Sequence, residues 1–63
     1  MMKRIRLLLG PAREAFRKTK SEGEFIGIRL DLTNKVVYFL YSTTEGKRKE
    51  EIWTGGFKMW EKI

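Results

Sequence analysis

The stretch DLTNKVVYFLYSTTEGK, residues 31–47, decides the fold. It sets a β-branched and aromatic run, Val36 to Tyr41, between two clusters of turn-forming residues. Asp31-Leu32-Thr33-Asn34-Lys35 has the form of a type I turn closed by a left-handed residue, with Asp31 capping from the first position and Asn34 tolerating positive φ. Thr43-Thr44-Glu45-Gly46-Lys47 repeats that form with Gly46 in the left-handed place. Each turn then has three loop residues, which pairs Asp31 with Lys35 and Thr43 with Lys47.

Outward from this hairpin pair, residues near 24–31 supply the preceding strand and residues near 47–54 the following one. Gly55-Gly56 is a two-residue hairpin signal that pairs Thr54 with Phe57, so a fourth strand is expected at 57–62.

Gly10-Pro11 reads as a helix start, since proline is favoured at the first helical position. The helix is expected over 11–21, ending in Ser21-Glu22-Gly23. Ala12, Ala15, Phe16 and Thr19 recur at i, i+3, i+4 and i+7 as one apolar stripe, while Arg13, Arg17 and Lys20 lie on another face. Lys3 to Leu9 alternates as a short extra strand would, with a helix kinked at Gly10-Pro11 as the competing reading. The expected fold is α+β: a single domain over residues 1–63, one N-terminal helix packed on a four-stranded antiparallel meander.

Propagating the pairings sorts the side chains by parity. One face collects Ile26, Ile28, Leu30, Val36, Tyr38, Leu40, Ile52, Phe57, Met59 and Ile63, and is the expected core. The other collects Phe25, Arg29, Val37, Phe39, Tyr41, Lys49, Glu51, Trp53, Lys58, Trp60 and Lys62. One helix covers only one side of a sheet, so the aromatic side is expected to need a second copy of the chain or another partner.

The chain has 63 residues, no cysteine and no histidine, which removes disulfides, the usual zinc sites, thiol nucleophiles and the commonest proton shuttle. Its formal charge is +6, and residues 1–20 hold all of the excess, with seven basic side chains against Glu14 alone; residues 21–63 balance. Such a field favours polyanions. The apolar run Leu7 to Leu9 is too short for a signal peptide, no stretch is long enough to span a membrane, and a cytoplasmic location is the default expectation.

The expected function is nucleic-acid binding, to single-stranded or structured RNA or DNA. Phe39, Tyr41, Trp53 and Trp60 would stack on bases while Arg29, Lys49 and Lys58 follow phosphates, supported by Arg13, Arg17 and Lys20 on the helix. The alternative is a protein-interaction module, a small modulator or inhibitor, or a homodimer joined through the same aromatic face, because Trp, Tyr and Arg dominate interface hot spots. A basic amphipathic start lying on anionic lipid, with Ile5, Leu8 and Leu9 inserted, is a further reading. No catalytic residue, metal ligand or cofactor is expected: the acids are scattered, and Glu50 and Glu51 point to opposite sides of a strand. A histidine-free ribonuclease acting through Arg, Glu and Tyr is the enzymatic alternative.

Overall fold

The computed structural model describes residues 2–19 and 22–63, with side chains from Arg4 onward in the first segment. The chain runs α1 (Met2–Thr19), β1 (Glu24–Asp31), β2 (Val36–Ser42), β3 (Arg48–Ile52) and α2 (Gly56–Lys62). The three strands form one antiparallel sheet in the order β1-β2-β3. The class is α+β as expected, but the described residues form three strands instead of four and two helices instead of one.

The segment expected as a strand at 3–9 is the first half of α1, a continuous helix of 18 residues with Pro11 inside it. Leu8 stands four residues before Ala12 and eight before Phe16, so it prolongs the same stripe, and it is fully buried. Interior proline costs about 3 kcal/mol, while burying one leucine returns about 1.5–3 kcal/mol. Two local features lower the cost. The carbonyl robbed of its donor belongs to Leu7, which lies on the solvent side. Gly10 carries no Cβ to press against the proline ring. At the other end, Thr19 Oγ1 donates to the carbonyl of Ala15 at 3.0 Å. The expected helix boundary at Lys20-Ser21 lies outside the described residues.

The β1-β2 turn is one residue longer than its sequence form suggests. Asp31 does cap it, accepting from the Asn34 backbone N–H at 3.1 Å and from the Asn34 side-chain amide at 2.9 Å. The left-handed place, however, falls to Lys35, with φ 55°, so Asp31 pairs with Val36 and not with Lys35. Side chains alternate along a strand, so this one-residue slip carries Arg29 to the opposite side of the sheet, beside Tyr38. A bulge between Phe25 and Gly27 absorbs the slip and returns Phe25 to a place opposite Tyr41.

The β2-β3 turn closes as its sequence implies. Thr43 N–H donates to the Lys47 carbonyl at 2.8 Å, Gly46 N–H to the Thr43 carbonyl at 2.9 Å, and Gly46 has φ 86°. The resulting register places Phe39 opposite Glu51 and Tyr41 opposite Lys49.

Gly55-Gly56 opens a helix, not a hairpin. Gly55 takes φ 87°, and Gly56 N–H donates to the Trp53 carbonyl at 3.0 Å. Gly56 lies against the Trp53 indole so closely that a Cβ there would come within 2.6 Å of ring carbons. The helical period then lets Phe57 and Trp60, three apart, pack on the same core.

The core reverses the expected choice of face. Its buried members are Leu8, Ala12 and Phe16 from α1, Val37, Phe39 and Tyr41 from β2, and Trp53. The Phe16 ring is the hub, with centroids 5.7 Å from Phe25, 5.8 Å from Phe39 and 5.3 Å from Tyr41. Rings bury more area than aliphatic side chains, so the helix stripe seats on the side where they project. Of the expected aliphatic core, Ile28, Leu30 and Phe57 do pack at its margin, but Ile26 and Ile52 are 51% and 57% exposed.

Candidate functional site

Ten residues were expected to contact nucleic acid, and the structure separates them. Phe39, Tyr41 and Trp53 are core residues, at most 9% exposed. Phe16 of α1 packs on Phe39 and Tyr41, and Phe39 and Gly56 pack on Trp53, so these three rings form no open stacking platform in this fold. Trp60 is half-buried on α2, and Arg4 covers it: the guanidinium carbon lies 4.1 Å from the ring centroid, and Arg4 Nη2 donates to the Trp60 carbonyl at 3.1 Å. Lys49 on β3 and Lys58 on α2 are exposed and on separate elements.

Arg29 lies on the outer side of the sheet, away from the rings it was expected to flank. Its guanidinium sits 4.2 Å from the Tyr38 ring centroid and bridges to Glu50 Oε2 at 2.7 Å. The hydrogen bond from Arg29 to Glu50 is the main cause that raises the Arg29 pKa above its ordinary value. This cation is already paired. Ile52, opposite Tyr38, is exposed on the same outer side.

Arg13 and Arg17 are exposed on α1, and Lys20 lies outside the described residues. Because α1 begins at Met2, Arg6 joins them: it stands seven residues before Arg13 and eleven before Arg17, which puts all three on one face of the helix. The row spans about 16 Å along the axis. Arg6, Arg13 and Arg17 are all exposed, on a face of α1 that borders the buried stripe of Leu8, Ala12 and Phe16. Glu14 is the one acid in the helix and is also spaced to pair with Lys18. A helix that starts at Pro11 leaves Arg6, one of the basic residues of the first twenty, off its cationic face; the Leu8-Ala12-Phe16 spacing is the signal that places it there.

Beside this row is a hollow of about 270 Å³ lined by Leu9, Gly10, Arg13, Phe25 and Ile26. Arg13 leans toward the Phe25 ring, 5.8 Å from its centroid. Gly10 is exposed, and a Cβ built on it would meet nothing within 4 Å.

Among the described residues no group of three or more Asp or Glu could hold a metal ion, and no helix is long and apolar enough to cross a membrane. The lipid reading placed Leu8 in the bilayer; Leu8 is instead in the core. Compared with protein-family models, with curated proteins and with solved structures, the chain matches none.

Proposed function

We propose that this protein binds nucleic acid through the sugar–phosphate backbone, using the solvent face of α1 and without reading base sequence. The observation that carries the reading is the arginine row Arg6, Arg13 and Arg17, exposed along one face of a helix whose neighbouring face, Leu8, Ala12 and Phe16, is locked in the core. Guanidinium groups suit phosphate oxygens because their planar fork donates two parallel hydrogen bonds. The row faces a polymer that carries one charge about every 3.4 Å along each strand, so several phosphates fall within its reach. The concentration of the whole charge excess in residues 1–20 supports a polyanion as the partner of this part of the chain.

Backbone contact replaces base stacking in this account because Phe39, Tyr41 and Trp53 are interior and Arg4 lies over the half-buried Trp60. A duplex, with its regular phosphates, is therefore bound at least as well as an unpaired strand of the same length. Fluorescence anisotropy with labelled duplex and single-stranded oligonucleotides tests this, with intrinsic tryptophan emission followed in parallel. Saturable duplex binding that weakens with salt, without strong quenching of the tryptophan emission, is the expected result. Absence of binding at low salt, or equal binding to vesicles of anionic lipid, contradicts it.

A further inference from the structure

Resting on that reading, we propose that Gly10 marks where a nucleic-acid strand crosses α1, its sugar seated in the hollow beside Gly10 and its phosphates held by Arg6 and Arg13. On a helix, Arg6 and Arg13 stand four before and three after Gly10, so their side chains flank the one exposed position that has no side chain of its own. The backbone is open there, and a polymer approaches it more closely than anywhere else along the row.

The hollow has the matching chemistry. Leu9, Phe25 and Ile26 supply apolar wall, suited to the carbon face of a sugar ring, and Arg13 supplies charge at its rim. Ile26 is the residue that the β1 bulge sets out of register, and it is 51% exposed at this wall. Glu14 stands four residues after Gly10, so it bounds the crossing on the side opposite Arg13 and repels phosphate from that direction. The strand is thereby directed over Gly10 toward the arginine side.

Gly10 also relieves the contact that a Cβ would make with the ring of Pro11, so the test must separate the two roles. In a Pro11→Ala background that contact no longer exists, and replacing Gly10 by a better helix former raises the thermal midpoint. Gly10→Ala and Gly10→Gln are made in that background and titrated with a fluorescein-labelled DNA duplex. The expected result is a higher midpoint in both, with affinity reduced severalfold in Gly10→Ala and about tenfold or more in Gly10→Gln. Undiminished affinity in Gly10→Gln overturns the crossing site. The paired variant Arg13→Gln/Arg17→Gln distinguishes the failures: if it loses affinity while Gly10→Gln does not, backbone binding by α1 stands and the crossing lies elsewhere. If neither variant loses affinity, both proposals fall.

Discussion

The indole of Trp53 stacks on the ring of Phe39, with centroids 5.4 Å apart and planes 23° from parallel, while Gly56 closes on the same indole from the start of α2. Trp53 thus ties the last strand and the second helix to the centre of the sheet. Gly56→Ala forces a methyl into the indole and is expected to destabilise by about 1–3 kcal/mol; Trp53→Ala, which leaves a cavity, costs about 3–5 kcal/mol. Urea unfolding followed by circular dichroism measures both.

The side of the sheet that faces α1 is set by register, and two substitutions on neighbouring strands report it. Val37 is fully buried, whereas Ile52, on the outer side and opposite Tyr38, is 57% exposed. Val37→Asp buries an unpaired charge and abolishes cooperative unfolding. Ile52→Asp changes stability by no more than about 0.5 kcal/mol. The reverse order would mean that the aliphatic side is the interior.

The Asp31 carboxylate is held below its ordinary pKa, first by the backbone N–H of Asn34 and then by the Asn34 side chain. A carboxylate with a depressed folded-state pKa stabilises the fold above the unfolded value, near 3.9, and that contribution disappears as pH falls through the folded value. Asp31→Ala is therefore expected to lower the thermal midpoint at neutral pH, and to flatten its fall below about pH 4. A thermal melt series from pH 7 to pH 2.5 reads the effect; an unchanged acid limb in the variant would assign it to other carboxylates.

Glu14 is the one acid in α1, four residues after Gly10 and next to Arg13 in sequence. Glu14→Gln removes its repulsion and is expected to tighten duplex binding severalfold at low salt, with the gain vanishing at high salt. Anisotropy titrations at two ionic strengths measure it, and a loss of affinity would place phosphate contacts away from this face.

Much of this was legible in the residues, and the misreadings share one cause. The Thr43–Lys47 turn closes as written because Gly46 takes positive φ freely and no competing residue is near. At Asp31–Val36 two adjacent residues, Asn34 and Lys35, can take the left-handed place; it falls to Lys35, while Asn34 is held by the Asp31 carboxylate through its backbone N–H and its side-chain amide. That one-residue ambiguity moved Arg29 across the sheet. Gly55-Gly56 carries a strong hairpin signal, but the Trp53 ring on which Gly56 sits, three residues away, is itself held against Phe39, a contact between distant residues that local patterning does not contain. Pro11 likewise masked the first half of α1, although the Leu8-Ala12-Phe16 spacing already ran through it. The cationic residues of α1 followed from helical period alone; the fate of the rings did not, because parity says which side chains share a face and leaves open which face is covered.

The most direct test of backbone binding by α1 is the salt dependence of duplex affinity in single-arginine variants. Each phosphate contact releases condensed counterions, so the slope of log affinity against log salt drops by about 1 when one contact is lost. Arg6→Gln, Arg13→Gln and Arg17→Gln are each expected to reduce the slope by about that amount, whatever the base sequence, while Arg29→Gln on the outer side of the sheet leaves it unchanged. Slopes equal to wild type in all three α1 variants, or a loss confined to Arg29→Gln, would contradict the account.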